Sequence, residues 1–310
     1  MKDNHSSTPG LPLRETFGHK GTFGTAILIA GSLGMGGAAV LAGTAALESG
    51  AGLVRLLVPT PIQTTVASYR SEYTVLPLPA DREGHISRKA FPAILSHTST
   101  ASSLGIGPGL GRSLGLDVVI SKLFAALPIP AVFDADALNA LSYRESFTPP
   151  AERSLFGTIP VPSLSGPRIL TPHPGEFFRM SGVKVTPDPK DRREAAIRFV
   201  RLQREIYHDD EGQIVLVLKG AGTVVTDGDR VFVNKTGNPG MGTGGAGDVL
   251  TGIITALIAQ KMKPFDAAML GVTLHGFAGD IVAEKKGEIS LTAGDITDFL
   301  PEAFKRYKSL

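Results

Sequence analysis

Short apolar runs alternate along the chain with longer segments in which apolar residues recur every three or four positions. The short runs predict strands, and the longer segments predict amphipathic helices. Strands are predicted at residues 26–30, 53–58, 103–106, 131–133, 168–170, 214–218, 223–226 and 230–233. Helices are predicted at residues 37–49, 61–68, 113–126, 189–207, 247–260 and 264–284. This alternation predicts an α/β fold in which helices cover both faces of a mostly parallel central sheet.

The ends and connections of these elements define the domain organisation. The last two predicted strands are separated only by an Asp-Gly-Asp turn at 227–229, a spacing that predicts a β-hairpin. Residues 1–15 are polar and rich in proline and glycine, which is typical of a disordered tail. Residues 143–167 are rich in proline and serine and lack periodicity, so we interpret them as a surface insertion. Since no linker divides the remainder, residues 16–310 are predicted to form a single domain.

The composition narrows the classes of function open to this chain. With 42% hydrophobic residues in 310, it can bury a large core. Its 31 basic and 29 acidic residues give a net charge of +2, so no basic field indicates nucleic-acid binding. The absence of cysteine excludes a disulfide framework and a thiolate nucleophile. No leader-like apolar segment begins the sequence and no run approaches the ~18 apolar residues of a membrane span, so a cytoplasmic protein without membrane contact is expected.

The segment 237–252, GNPGMGTGGAGDVLTG, leads a glycine-rich loop into a predicted helix. The glycines concerned are Gly240, Gly242, Gly244, Gly245 and Gly247. Glycine lets backbone N–H groups converge on a ligand, and a helix N-terminus adds partial positive charge, so the loop predicts a phosphate site. Asp248 lies in the first helical turn, where a carboxylate can accept the proton of an attacking hydroxyl. An isolated Gly-Asp pair more often marks an ordinary helix start, but five glycines within eight residues favour the phosphate site.

A second glycine-rich segment, LIAGSLGMGGAAVLAG at 28–43, has the same strand, turn and helix pattern. It satisfies the dinucleotide pattern G-x-G-x-x-A, but the next predicted strand ends without an acidic residue to hold a ribose. The spacing of Gly31 and Gly36 matches a Walker A loop, but Gly37 stands where that loop requires lysine. Neither nucleotide-binding interpretation therefore holds. Small residues here also allow a helix to pack closely on the sheet.

Two further segments place glycine or aspartate at strand ends. In GIGPGLGRS, 105–113, Gly109 either lets a ligand approach the backbone or simply forms a tight turn. In VFDADALNAL, 132–141, Asp134 and Asp136 lie between a buried strand and a short helix. They either face a substrate or magnesium, or cap the helix.

Two later strands also end in polar residues. In ILTPHPGEFFRM, 169–180, Pro172 and Pro174 stiffen the chain around His173 and Glu176. We interpret His173 as a ligand-binding group, because loops on a rigid scaffold carry function disproportionately. The strand at 214–218 ends in KGAGT, where Lys219 is either a binding group or plain solvated charge.

These motifs together resemble a known family. GGAGD is similar to the catalytic signature of the ribokinase-like superfamily, and the whole of 237–252 resembles the ADP- or ATP-dependent NAD(P)H-hydrate dehydratases of that superfamily. The segments around Gly31, Gly109, Asp134 and His173 extend the resemblance over most of residues 28–300. It implies a ribokinase-like fold.

The resemblance also implies a role for each motif. Asp248 would be the catalytic base and would contact the substrate, and the backbone amides of Gly244, Gly245 and Gly247 would form the anion hole. The implied substrate contacts are Ala38 or Ala39, Gly109 and His173. The implied nucleotide contacts are Lys219, Gly220, Ala221, Gly222, Thr223 and Gly247. Magnesium would bridge the phosphates with few protein ligands. Glu176 matches a glutamate that supports magnesium through water in related kinases, but His173 replaces the asparagine of that motif, so no direct metal ligand is assigned.

The implied activity is that of a lyase that repairs nicotinamide nucleotides. Hydrated NADH or NADPH would be phosphorylated on its ring hydroxyl by ADP or ATP and would then lose phosphate to restore the dihydronicotinamide. The protein is expected to be a homo-oligomer, with a tetramer as one candidate. It is expected to work alongside a separate epimerase, because only about 25 residues precede the first predicted strand.

Two rival hypotheses stay open at this stage. A small-molecule kinase of the same superfamily, acting on a thiazole alcohol or hydroxymethylpyrimidine, would share GGAGD. A nucleotide-sensing binding protein would need no base, and the intact Asp248 argues against it. TPHPGE and GSLGMGGAA favour the dehydratase.

Overall fold

The computed structural model describes residues 9–142, 164–209 and 211–308. Within these residues nine strands form one sheet in the order β3-β2-β1-β4-β5-β6-β7-β8-β9. The strands are β1 (Thr25–Ile29), β2 (Leu53–Pro59), β3 (Thr74–Leu78), β4 (Ser103–Ile106), β5 (Ala131–Phe133), β6 (Arg168–Leu170), β7 (Ile214–Leu218), β8 (Val224–Thr226) and β9 (Val231–Val233). All neighbours from β3 to β7 pair in parallel, whereas β8 pairs antiparallel with both β7 and β9. The predicted sheet and late hairpin are confirmed.

Helices cover both faces of the sheet. They are α1 (Gly36–Glu48), α2 (Gln63–Ala67), α3 (Phe91–Thr98), α4 (Leu114–Ala126), α5 (Ala135–Leu141), α6 (Pro174–Ser181), α7 (Pro189–Tyr207), α8 (Ala246–Ala259), α9 (Pro264–Lys286) and α10 (Ala293–Tyr307). Side chains along each strand alternate between the two faces. In β7, for example, Ile214 and Leu216 pack with α4 to α7, while Val215 and Val217 pack with α8 to α10. None of the described helices is long and apolar enough to span a membrane.

The pattern of apolar residues did not predict every element. Each predicted strand and helix is present, but β3, α3, α6 and α10 were not predicted. Strand β3 contains Pro77, which cannot donate a ladder hydrogen bond, and β3 is accordingly an edge strand. Helix α10 contains Pro301 in its interior, a residue that normally interrupts a helix.

Residues 9–14, from the predicted tail, lie against the domain. The Tyr307 hydroxyl donates a hydrogen bond to the Pro9 carbonyl over 2.8 Å, and Leu11 packs against the apolar cluster of α8 to α10. The Arg14 guanidinium donates to the Gly50 carbonyl and lies 4.1 Å from the ring centre of Phe23. The described part of the expected tail thus contacts the domain, while residues 1–8 and most of the expected insertion lie outside the described residues.

The topology brings the predicted motifs together at one edge of the sheet. Strands β5, β6 and β7 are parallel neighbours, so their carboxyl ends meet at the same edge. Asp134, Thr171 and Lys219 each follow one of these ends, and α8 begins beside them. Such an edge is where ligands bind in open α/β sheets.

Candidate active site

The predicted phosphate loop leads directly into α8. Gly245 precedes the helix with a φ of +92°, a backbone conformation that favours glycine. A Cβ there would lie 2.5 Å from the Leu41 Cδ1 atom. A Cβ on Gly244 would meet nothing within 4 Å, which means that this part of the loop faces open space. The backbone therefore lies open to a ligand beside the positive end of a helix dipole.

Asp248 occupies the first turn of α8 and is half-buried. Burial and the negative charge of Asp134 together raise the pKa of Asp248 to about 7, although Lys219 opposes this effect. A general base works best when its pKa lies near the operating pH. The environment of Asp248 therefore suits proton abstraction at neutral pH.

Asp134 lies at the centre of a buried network that joins four elements. Its Oδ1 atom accepts hydrogen bonds from Lys219 Nζ at 2.6 Å and from Thr171 Oγ1 at 2.8 Å. Its Oδ2 atom accepts one from Thr251 Oγ1, in α8, at 2.8 Å. The residue is 1% exposed and makes no side-chain cap to α5, so the hypothesis that it caps the helix is wrong. Only the tertiary fold brings these partners together.

Lys219 is held inside this network and is not a solvated charge. Burial alone would lower the pKa of Lys219, but the carboxylates of Asp134 and Glu176 raise it above its usual value. Its Nζ atom lies 3.8 Å from Glu176 Oε2. A Cβ built on Gly247 would lie 3.2 Å from the same Nζ atom. A fixed positive charge thus stands beside the phosphate loop.

His173 is the N-cap of α6. Its Nδ1 atom accepts hydrogen bonds from the backbone amides of Gly175 and Glu176, at 3.0 and 3.3 Å. Glu176 Oε2 accepts in return from the His173 amide at 2.7 Å, which completes a capping box. Since Nδ1 is an acceptor, the ring proton lies on Nε2, and the side chain is 51% exposed. Burial lowers the pKa of His173, and Lys219 and Arg179 lower it further, so the ring is a neutral donor.

The glycine turns of the segments 28–43 and 105–113 pack against each other. The Gly31 amide donates to the Pro108 carbonyl at 2.8 Å, and the Ser32 hydroxyl donates to the Gly109 carbonyl at 2.9 Å. Gly109 has a φ of +60°, and a Cβ there would lie 2.8 Å from the Ala38 Cβ atom. Ala38 is partly exposed beside this contact.

The structure narrows two alternatives that the sequence left open at these turns. Ala39 is fully buried against the sheet, so of the two alanines only Ala38 can present its side chain to a ligand. Asp136 lies inside the first turn of α5, where its Oδ2 atom accepts from the Gly111 amide at 2.8 Å. Asp136 thus supports the turn that contains Gly109.

The KGAGT segment forms an exposed turn between β7 and β8. Gly220 and Gly222 have φ values of +134° and +64°. The Thr223 hydroxyl donates to the Gly220 carbonyl at 2.9 Å. Arg192 Nη2 donates to the Lys219 carbonyl at 2.9 Å and so supports the turn from below. Residues 220–222 are exposed, which leaves their backbone accessible.

The site offers few groups to a metal ion. Within the described ranges, no three histidine, aspartate or glutamate side chains converge as a metal-binding group. Asp248, Asp134 and Glu176 are carboxylates near the phosphate loop, but Asp134 is already paired with Lys219, which also lies beside Glu176. Magnesium is usually held by one or two carboxylates together with substrate phosphates. These residues fit a magnesium ion that binds together with the nucleotide, and not one that the protein holds permanently.

A mostly parallel sheet whose late glycine loop opens a helix bearing an aspartate defines the ribokinase-like class. A solved ribokinase-like superfamily protein from Enterococcus faecalis is similar at 25% identity and a TM-score of 0.75, over 97% of this chain and 93% of that one. The sequence profile of the NAD(P)H-hydrate dehydratases matches residues 26–302. The chain belongs to the NAD(P)H-hydrate dehydratase family.

Individual relatives show how far the similarity extends. A bifunctional NAD(P)H-hydrate repair enzyme from Moorella thermoacetica is 44% identical over 292 residues, which is 94% of this chain and 51% of the relative. The chain thus spans about half the length of such bifunctional relatives. The ADP-dependent (S)-NAD(P)H-hydrate dehydratase of Bacillus subtilis is 35% identical over 96% of this chain and 95% of its own. A crystal structure of the ADP/ATP-dependent dehydratase from B. subtilis, co-crystallised with ATP and Mg²⁺, aligns with a TM-score of 0.76 and 32% identity over 96% and 94% of the two chains.

Proposed function

We propose that this protein uses ADP or ATP to dehydrate hydrated NADH and NADPH. The observation that carries the proposal is the position of Asp248, a half-buried base with a pKa raised to about 7, at the end of an open phosphate loop. Family membership supports the choice of substrate, since the B. subtilis relative is an ADP-dependent (S)-NAD(P)H-hydrate dehydratase.

The reaction follows from the chemistry of the leaving group. Hydroxide leaves a carbon poorly, whereas phosphate leaves readily. Asp248 takes the proton of the ring hydroxyl as its oxygen attacks the terminal phosphoryl group, which converts ADP to AMP or ATP to ADP. The phosphate then departs with the C–O electron pair. The adjacent ring carbon gives its proton to the departing phosphate or to water, and the electrons of that C–H bond re-form the double bond.

Charge neutralisation would come from the loop and from Lys219. The amides of Gly244, Gly245 and Gly247 would donate to the phosphoryl oxygens, as an anion hole does. Lys219 is fixed by Asp134 at 2.6 Å, so its ammonium group needs no reorganisation as charge develops. We assign Asp134 and Lys219 to the active centre on this geometry.

We assign the two ligands to different parts of the crevice. The exposed turn at 220–223 would contact the nucleotide. Ala38, Gly109 and the half-exposed side chain of His173, whose Nε2 atom also lies 3.4 Å from Glu176 Oε1, would contact the hydrated ring. Lys219 lies between these parts, because its ammonium group is close to Glu176 while its backbone begins the nucleotide turn. Lys219 therefore serves the reacting phosphoryl group and not the nucleotide alone.

Three wider features belong to the same proposal. Magnesium would enter with the nucleotide and neutralise its phosphates, with Glu176 acting at most through water. The protein would function in the cytoplasm as a homo-oligomer, with a tetramer as the candidate state. It would also act together with an NAD(P)H-hydrate epimerase, so that both hydrate epimers are repaired.

A spectroscopic assay tests the proposal. Purified protein is incubated with hydrated NADH, Mg²⁺ and either ADP or ATP, and the NADH absorbance band is followed. Nucleotide-dependent recovery of that band is expected. No recovery, together with phosphorylation of a thiazole alcohol or hydroxymethylpyrimidine, would identify a small-molecule kinase instead.

A further inference from the structure

One face of α9 lies directly beneath the first part of the phosphate loop, and Asp280 is the charged residue on that face. The Asp280 Oδ2 atom accepts from the Gly237 amide at 2.9 Å. Its Oδ1 atom accepts from Asn238 Nδ2 at 3.0 Å. Asn238 Oδ1 in turn accepts from the Gly240 amide at 3.1 Å. A chain of hydrogen bonds thus runs from the helix into the loop.

Glycines on the same face allow the close approach. A Cβ on Gly276 would lie 2.3 Å from the Thr236 Oγ1 atom, and a Cβ on Gly279 would lie 2.3 Å from the Met241 Sδ atom. Gly276 and Gly279 lie three residues apart and therefore line one side of the helix. The Thr236 and Met241 side chains therefore pack directly on the glycine backbone of this side of the helix.

The same helix contacts the far end of the loop. His275 lies beside the backbone of Ala246, the first residue of α8. Burial lowers the pKa of His275 to about 4, so the imidazole is neutral at physiological pH. Asp280 thus holds the beginning of the loop, and His275 lies beside its end.

We propose that Asp280 is a positioning residue for phosphoryl transfer: by fixing Gly237 and Asn238 on the rigid surface of α9, it orders the phosphate loop before the nucleotide binds. Preorganised donors stabilise a developing charge without reorganising during the reaction. A loop that has to be ordered on binding would instead weaken both nucleotide affinity and turnover. The effect on turnover rests on the proposed function, whereas the effect on loop order and nucleotide affinity does not.

The hydrogen-bond pattern provides an exchange test. In Asp280→Asn, an amide NH₂ group replaces one of the two carboxylate oxygens. Because this group cannot accept a hydrogen bond, the bond from either the Gly237 amide or Asn238 Nδ2 is lost. We expect ADP affinity measured by titration calorimetry and kcat each to fall roughly tenfold, since bonds to charged groups are the stronger ones. Backbone amides of 237–245 should exchange hydrogen faster, with little change in Tm. Combining Asn238→Asp with Asp280→Asn restores complementary donors and acceptors at unchanged net charge, and should recover most of the affinity and loop protection.

A control in the same helix separates loop positioning from general destabilisation. Asp266 lies in the first turn of α9 and pairs with Arg230 at 3.9 Å, away from the loop. Asp266→Asn should leave ADP affinity and loop exchange unchanged. Wild-type ADP affinity and loop exchange in Asp280→Asn would overturn the proposal whatever the substrate proves to be. A double variant no better than Asp280→Asn would also overturn it. Absence of dehydratase activity in the wild type would instead count against the proposed function alone.

Discussion

Two glycine-rich segments open helices at the same edge of the sheet, yet their surroundings differ. The turn at 31–37 leads into α1, whose first turn contains no acidic residue, and Leu33 and Met35 are exposed on it. The loop at 240–247 leads into α8, which carries Asp248 and lies beside Lys219. The first segment offers an apolar surface, and the second offers charge.

The comparison shows that glycine content alone does not define a phosphate site. Both segments bring backbone close to a ligand, but only the second is surrounded by groups that stabilise and transfer charge. We propose that the first contacts the hydrated nicotinamide ring, whose carbon atoms can make apolar contacts there. Each prediction below tests this division, beginning with the largest effect.

Asp248→Asn should lower kcat by at least about 100-fold, the lower end of general-base contributions. Nucleotide affinity should remain nearly intact, because the glycine loop is unchanged. Single-turnover kinetics and ADP titration measure the two quantities. A folded Asp248→Asn protein with near-normal turnover would show that the base lies elsewhere.

Gly247→Ala keeps the backbone amide but adds a Cβ that displaces it or Lys219. We expect kcat/KM to fall by at least about tenfold, because one well-placed anion-hole donor is commonly worth more than that. Its Cβ would press on Lys219 Nζ at 3.2 Å, where the phosphoryl group is expected. The matched substitution in the other segment is Gly37→Ala, whose Cβ meets nothing within 4 Å.

Gly37→Ala should leave ADP affinity unchanged and should alter only the KM for the hydrated substrate. Equal loss of ADP affinity in the two variants would contradict the division. Gly245→Val is a poorer probe, because a φ of +92° and the contact with Leu41 would also destabilise the fold.

Asp134→Asn should shift the pH dependence of turnover. Activity requires deprotonated Asp248, so kcat/KM should rise as pH increases through about 7. The negative charge of Asp134 raises the Asp248 pKa, so its removal should move this rising limb to lower pH. At pH values well above this limb, kcat should still be about tenfold lower than in the wild type, because Lys219 loses the carboxylate of Asp134 as its partner. An unmoved limb would show that Asp134 does not influence the base.

The smallest effects are expected at the outer parts of the crevice. His173→Ala should weaken binding of hydrated NADH and spare ADP, whereas Thr223→Val should do the reverse. Each loses about one neutral hydrogen bond, worth ~0.5–1.5 kcal/mol, or a few-fold to about tenfold in Kd. Direct titration of each ligand is the measurement, since KM tracks affinity only when chemistry is slow. The opposite result would show that His173 contacts the nucleotide and Thr223 contacts the hydrated substrate.

Much of the fold was predictable because the strands are buried on both faces. Runs such as Ile214–Leu218 are entirely apolar, which marks them without knowledge of their neighbours. Strand β3 has a single buried residue, lies at the sheet edge and contains Pro77, so its signal is weak. Helix α6 begins within TPHPGE, where two prolines and a histidine cap obscure the start. Prolines in β3, around the start of α6 and in the interior of α10 thus accompany three of the elements that the apolar pattern did not predict.

Some residues of the site could likewise be predicted from the sequence, and others could not. Asp248 could be found from its neighbours in sequence, because the loop and the helix start are contiguous. The link from Asp134 to Lys219 joins residues 85 positions apart. The sequence places Asp134 and Asp136 at the end of one strand and Lys219 at the end of another. It does not show that Asp134 and Lys219 lie close together in space. A lysine directly after an apolar strand was the available signal, and only the order of β5, β6 and β7 shows that it meets a carboxylate.

Isotope transfer tests the central claim most directly. Hydrated NADH carrying ¹⁸O in its ring hydroxyl is converted with ADP and Mg²⁺, and the released phosphate is analysed by mass spectrometry. If the hydroxyl is phosphorylated before it leaves, each NADH recovered should be matched by one phosphate that contains ¹⁸O. Recovery of NADH with the label in water and unlabelled phosphate would contradict phosphorylation of the ring hydroxyl, and with it the role assigned to Asp248.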